Sequence, residues 1–330
     1  MTTTNTTKAN DWVSLGVNLL VTATEKVVPV ATDTAFQPVF SPDGAQLAFT
    51  KADGGDYVWA QTWHICVVDV AKAKLGQAAA NMKCDKGGTF DQMPTLVGWD
   101  AAGSSVLYME QNHTAVELYA MAVDSLSSSE QSSTTAAPGW RRVGPLGGAT
   151  DASPGVVGGG FRSTSRVSVA HGPDGSTLLG YTWESFHTPQ QGFLSTLPRG
   201  QSRPRKAVQL TQLSAEAAAH TFADVDIVRW PSDDGLSVEG LLLKPLGFAA
   251  GKRYPLITFT HCGPAMAVLQ TFIGYGSVCA RFPLEIWAER GYLVLMPNYR
   301  GSTGYGKAFR RADRHDWGGG DYSEDSQQLP

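Results

Sequence analysis

Charge is scarce in this sequence. Lysine, arginine, aspartate and glutamate together make up 17% of the 330 residues, and 26 basic against 30 acidic side chains leave a net charge of −4. That balance cannot assemble the basic field that holds nucleic acid or an acidic membrane, so neither is expected as a partner. Long apolar runs are missing too. No stretch approaches the roughly 18 residues of a membrane span, and the leading MTTTNTTKAN lacks the charged and apolar regions of a signal peptide. The expectation is a cytoplasmic protein. Cysteine occurs only at Cys66, Cys84, Cys262 and Cys279, never as C-x-x-C, which argues against a zinc site and against a disulfide scaffold. The four are expected to be reduced, buried thiols, and no metal or cofactor is expected. Asn5 and Asn112 begin N-x-Thr sequons, which matter only in a secreted chain.

Apolar residues, by contrast, are plentiful. At 42% hydrophobic over 330 residues the chain can bury about two domain cores. Between about residues 35 and 200 one pattern returns three times: a turn, a short run of β-formers, a polar break and a second run. The first copy is Ser41-Pro42-Asp43-Gly44 followed by Gln46–Thr50, with a partner run at His64–Asp69. Proline fixes φ and Asp-Gly supplies the positive-φ corner of a hairpin. The second copy is Asp100-Ala101-Ala102-Gly103 leading into Ser105–Met109 and Val116–Met121; the third is Pro173-Asp174-Gly175 leading into Thr177–Thr182. Repeated units of this kind predict β-propeller blades, with insertions because the spacing exceeds the usual ~40–50 residues. One insertion is visible near 125–160, rich in Ser, Thr, Gly and Ala, and is expected to be a mobile loop.

Near residue 225 the pattern changes. Val225–Trp230, Asp233-Asp234-Gly235 and Val238–Pro245 predict one long hairpin. Tyr254–Thr260 is a nearly continuous apolar and β-branched run, as in a strand buried on both faces. Phe282–Gly291 predicts a helix with a glycine cap, and Tyr292–Pro297 the next buried strand. The predicted organisation is therefore an N-terminal segment over 1–34, a partial β-propeller over 35–224, and the N-terminal part of an α/β domain over 225–330.

Open α/β sheets place chemistry in the loops at strand ends. Here these are His261-Cys262-Gly263-Pro264 and Asn298-Tyr299-Arg300-Gly301-Ser302-Thr303-Gly304-Tyr305-Gly306, the second continuing to Asp316-Trp317-Gly318-Gly319-Gly320-Asp321-Tyr322. Together with the Asp-Gly-Leu hairpin and the Ser-Pro-Asp-Gly turn, these motifs resemble the prolyl oligopeptidase family of serine peptidases, especially its acylaminoacyl-peptidase and dipeptidyl-peptidase-V-like branch. The resemblance is strong over 225–325 and looser over 35–200. It implies a β-propeller covering an α/β-hydrolase that acts through an acyl-enzyme, with short or N-acylated peptides as substrates.

The first loop has a chemistry of its own. Acyl transfer builds negative charge on a carbonyl oxygen, and amide donors in a tight glycine-containing turn after a strand stabilise it. The oxyanion-side candidates are therefore His261, Cys262 and Gly263. By resemblance, relatives carry Gly where Cys262 stands, and a non-glycine residue resists positive φ. His261 by family position flanks the oxyanion and is not a triad base. The second loop also fits G-x-x-x-x-G-K over 301–307, but Ala308 stands where a phosphate-binding loop needs Ser or Thr. Arg300 and Asp321 are expected to tie that loop to a helix beginning near Asp321 and Glu324.

A serine hydrolase of this type needs G-x-S-x-G, then an acid, then a histidine. No G-x-S-x-G occurs; Gly235-Leu236-Ser237-Val238-Glu239 fails at its last position. None of the triad is present, so the sequence is expected to stop before the nucleophile and to be inactive alone. A non-catalytic β-propeller binding module with a vestigial hydrolase stub is the alternative.

Overall fold

The Asp-Gly corners build the hairpins expected of them. Gly44 takes φ +71° and Gly175 φ +75°, and Asp43 Oδ1 accepts from the Ala45 amide at 3.0 Å and from the Ser41 hydroxyl at 2.6 Å. The computed structural model describes residues 2–4, 15–32, 34–53, 61–85, 88–127, 139–143, 167–201, 203–213, 215–263, 265–272 and 284–326. Among them, strands dominate and form five open sheets.

The first sheet, β1 (Thr2–Thr4), β2 (Leu15–Val21) and β3 (Lys26–Ala31), falls in the segment read from sequence as a mere N-terminal lead. The second consists of β4 (Ala35–Phe40), β5 (Gln46–Ala52), β6 (Trp63–Asp69) and, after helices α1 (Val70–Lys74) and α2 (Ala78–Asn81), β7 (Lys83–Cys84). The third is β8 (Thr95–Trp99), β9 (Ser105–Asn112), β10 (Ala115–Ala122) and β11 (Trp140–Arg142). Strand β11 lies inside the stretch expected to be a mobile loop; residues 128–138 and 144–160 of that stretch lie outside the described residues. The fourth sheet is β12 (Val167–His171), β13 (Thr177–Ser185), β14 (Thr188–Leu197) and β15 (Val208–Gln209). All pairings in these four are antiparallel between chain neighbours.

Strand alternation decides how the four sheets stack, because successive side chains point to opposite faces. In β5, Leu47 and Phe49 pack toward Val17, Leu19 and Val30 of the first sheet. Ala48 between them faces the other way, and with Ile65 and Val67 meets Val106, Tyr108 and Tyr119 of the third sheet. The third sheet then turns Leu107, Met109 and Leu118 toward Leu179, Tyr181 and Phe193 of the fourth. Each interior sheet thus feeds two cores. A large-to-alanine change at a fully buried position such as Leu107 costs about 2–5 kcal/mol on this account.

The fifth sheet combines β16 (Val225–Pro231), β17 (Ser237–Leu243), β18 (Leu256–Thr258) and β19 (Leu293–Asn298) in the order β16-β17-β19-β18. Only β18 and β19 are parallel. Helix α3 (Leu284–Glu289) sets Leu284 and Ala288 against Leu241, Leu243, Val294 and Met296. It ends as its glycine predicts, with Gly291 at φ +89° and its amide donating to Ala288 O. Helices α4 (Lys307–Arg310) and α5 (Gly320–Ser326) follow.

Two expectations are corrected here. The 254–260 run is not a doubly buried strand: β18 is an edge strand, half-buried at Leu256 and Ile257 and exposed at Thr258, whereas β19 takes the interior place. The cysteines are not reduced thiols. Cys66 and Cys84 stand directly opposite one another on β6 and β7 and are joined by a disulfide, with Cα atoms 4.1 Å apart. Cys262 is disulfide-bonded as well. Spacing motifs missed the first bridge because strand register, not sequence proximity, brings its 18-residue-separated ends together. Among the described residues no helix is long and apolar enough to cross a membrane.

Candidate active site

Parallel pairing of β18 and β19 sends both chains off the same end of the sheet, so the two loops singled out in the sequence meet there. His261 is the point of contact. Its ring stacks on Tyr299 with centroids 4.5 Å apart, and the Tyr299 hydroxyl donates to the His261 carbonyl at 2.6 Å. Nδ1 lies 2.9 Å from the Cys262 carbonyl and Nε2 2.9 Å from Ser302 Oγ. Burial pushes the imidazole pKa down to about 4, against a smaller opposing pull from the Cys262 carbonyl, so the ring is neutral near pH 7. A neutral ring has one N–H. Since a carbonyl can only accept, that proton is assigned to Nδ1, and Nε2 is left as an acceptor for Ser302.

Cys262 avoids the strain expected of it. The positive-φ residues other than glycine among those described are Glu25, Thr34, Gln37, Gln92, His113 and His315, so Cys262 adopts a backbone open to any residue. Its sulfur is held in a disulfide and is no thiolate nucleophile in this state. Gly263 is needed for a different reason: a Cβ there would sit 3.0 Å from the Ala265 nitrogen and 3.2 Å from the Met266 nitrogen. Main-chain nitrogens therefore crowd the open side of Gly263, where a side chain would obstruct them.

The second loop is anchored by buried polar groups. Asn298, fully buried, accepts from the Val268 amide at 2.6 Å and donates to the Val268 carbonyl at 3.0 Å, tying the two loops a second time. Arg300 donates through Nε to Glu324 Oε1 at 2.6 Å, while its amide donates to Oε2 at 2.8 Å. The loop is thus tied to α5, with Glu324 as the partner; Asp321 instead accepts from Gly318 and Tyr322 amides near its own helix start.

The same loop docks on the strand-rich part of the chain. Thr303 donates to Gln111 Oε1 at 2.7 Å, and the Gln111 amide donates back to Thr303 O at 2.9 Å. His113 N donates to Gly304 O at 2.7 Å, at a site where any Cβ on Gly304 would lie 2.7 Å from His113 O. The Gly306 amide donates to Asp91 Oδ1 at 2.8 Å, and Lys307 Nζ pairs with Asp53 Oδ2 at 3.3 Å. The donors that a phosphate-binding loop would offer are therefore committed to protein carboxylates.

Comparison with known proteins agrees with this geometry. The profile of the prolyl oligopeptidase family matches residues 280–326, which span α3, β19, the second loop and α5. The chain belongs to the prolyl oligopeptidase family. Dipeptidyl-peptidase 5 of Trichophyton equinum is 25% identical over 289 residues, covering 87% of this chain and 33% of that protein. The uncharacterized peptidase YuxL of Bacillus subtilis is 33% identical over 137 residues, 41% of this chain and 19% of that one. This prolyl oligopeptidase-family chain spans about a third of the length of the dipeptidyl-peptidase relatives it matches. Among solved structures, Pyrococcus horikoshii acylaminoacyl peptidase superposes with a TM-score of 0.58 at 16% identity, over 94% of this chain and 40% of that one, which shows a shared fold.

Within this family member, the sequence-predicted trio His261, Cys262 and Gly263 does form one turn at the sheet's end. Tyr299, Ser302 and Asn298, which hold that turn, were not assigned a role from sequence. Their signal is weak: each is a common residue, and only the parallel pairing of β18 with β19 places them against His261.

Proposed function

We propose that this chain supplies the substrate-covering and oxyanion-side parts of a serine-type peptidase acting on short or N-acylated peptides. In this reading residues 35–224 form a partial β-propeller, and 225–330 form the N-terminal part of an α/β-hydrolase domain. His261, Cys262 and Gly263 make the oxyanion-side turn, with the amide of Cys262 or Gly263 as donor. The observation that carries the proposal is the knot of His261, Tyr299 and Ser302, which fixes this turn beside the second loop at the carboxyl end of two parallel strands. A preorganised turn is what electrostatic stabilisation of a tetrahedral intermediate requires, each donor contributing on the order of 100–1,000-fold in rate. A neutral, fully engaged His261 acts here as a structural pin, not as a base.

The 330 residues contain no G-x-S-x-G, so the chain by itself is expected to bind peptides without turning them over. The test is a fluorophosphonate probe together with chromogenic dipeptide and acyl-amino-acid substrates. No serine labelling and no turnover are expected of this chain, while a version extended by any continuing reading frame should show both and lose rate on Gly263→Val. Serine labelling of the 330-residue chain itself would show that the nucleophile has been misplaced. Peptide binding with no labelling in any extended version would favour the alternative, a propeller-type binding module with a vestigial hydrolase stub.

A further inference from the structure

The first four sheets form a row whose interior cores all obey one rule, and the rule leaves both ends of the row uncovered. Each sheet presents one alternating set of side chains to the sheet before it and the other set to the sheet after it. The first strands of successive sheets lie side by side along the row, with β2 next to β4, β4 next to β8 and β8 next to β12. In the first sheet Val17, Leu19 and Val30 face the second sheet, so Leu20 and Val27 face outward; these two are cross-strand partners, 48% and 55% exposed. In the fourth sheet Tyr181, Phe193 and Leu197 face the third sheet, so Leu194 faces outward; its cross-strand partner is Val208, and the two are 39% and 61% exposed. Leu210 and Leu213, which continue from β15, are 60% and 74% exposed.

We propose that these end faces are a self-association surface, with the outer face of the fourth sheet in one copy stacking on the outer face of the first sheet in a second copy. The occupant is a second copy because the joint continues an interface already built three times within the chain. Fourth on first has the same sense as second on third and third on fourth: a sheet's trailing face against the next sheet's leading face. The apolar cross-strand pair that each end offers is the unit that stacked sheets bury between them. Such a joint is heterologous, and two copies offer two of them. Closing both gives one ring of eight sheets, within the four to eight that radial sheet assemblies contain. This inference stands on the sheet faces alone and does not depend on the peptidase reading.

The experiment uses the whole 330-residue chain with Leu20→Glu and Leu194→Glu, each a change at an exposed strand position whose fold is checked by circular dichroism and thermal unfolding. Sedimentation velocity across a concentration series should show a wild-type dimer and two monomeric variants. Mixing the variants should restore a one-to-one dimer, since Leu20→Glu keeps an intact fourth-sheet face and Leu194→Glu an intact first-sheet face. That dimer should form at higher concentration than wild type, because one joint replaces two. A wild-type chain that stays monomeric throughout would leave these faces to some other polypeptide and overturn the proposal. So would variants that still dimerise alone, or a mixture that stays monomeric, the result expected of a symmetric joint.

Discussion

Arg310 and Asp91, 219 residues apart in sequence, form an ion pair of 3.2 Å in which neither side chain is more than 1% exposed. Arg310 also donates to the Asp91 carbonyl and, at 3.2 Å, to the Gln61 carbonyl, while Asp91 accepts from the Gly306 amide. The pair therefore fastens α4 and the second active-site loop to the second and third sheets. Burial raises the Asp91 pKa, with the Arg310 charge opposing it.

Replacing Arg310 by Met should leave a buried, uncompensated carboxylate. A loss of about 3–5 kcal/mol is expected, read from urea unfolding at pH 7.5. The loss should shrink as the pH is lowered and Asp91 takes up a proton. The double change Arg310→Met with Asp91→Leu should recover much of it, which a purely steric role for Arg310 would not predict.

Glu110 gives a second, independent pH handle. Its carboxyl is 2% exposed and its pKa is pushed by burial from 4.5 up to about 7, although the Thr89 hydroxyl and the Met93 amide donate to it and hold it down in part. The folded protein binds this proton more tightly than the unfolded chain does. Stability from this group is accordingly full below about pH 4.5 and falls as the pH rises to about 7, by an amount on the order of 3 kcal/mol. Glu110→Gln should flatten that decline in denaturant titrations taken between pH 4.5 and 8.

His261 works in the opposite sense over nearly the same range. With its folded pKa depressed from 6.5 to about 4, it favours the folded state above pH 6.5 and loses that contribution as the pH falls toward 4. Nitrogen chemical shifts of the imidazole should report a neutral ring with the proton on Nδ1 down to about pH 5. Ser302→Ala should move the Nε2 resonance and cost about 1–3 kcal/mol, because it leaves a buried acceptor without its donor. An Nε2-protonated ring would refute the assigned tautomer.

The Cys66–Cys84 bridge closes a span of 18 residues between β6 and β7. Cys66→Ser with Cys84→Ser should lower stability by about 3 kcal/mol relative to the oxidised protein, the entropy that a loop of that size regains on unfolding. Reducing agent should produce the same drop in the wild type and none in the double variant.

Legibility in the sequence followed the range of the interaction concerned. Hairpins were readable because Asp43-Gly44 and Asp174-Gly175 encode their corners within a few residues, and α3 was readable because Gly291 stops it. Strand alternation likewise announced which side chains would be apolar on each face of β5 or β9. The edge position of β18 was not readable, since an apolar run looks the same whether or not another strand lies beside it. The first sheet escaped notice because Lys26–Ala31 and Leu15–Val21 are joined without an Asp-Gly corner.

The active-site turn divides in the same way. By itself the sequence determined that His261, Cys262 and Gly263 would follow one strand and Asn298–Gly306 another, and it carried the motifs that mark the family. Tertiary structure alone decided that Ser302 meets Nε2 of His261, that Arg300 chooses Glu324 over Asp321, and that Cys66 faces Cys84. Those choices depend on strand register and on which polar groups must find partners once water is excluded. Both are set when distant segments pack, and neither is written in the spacing of residues along the chain.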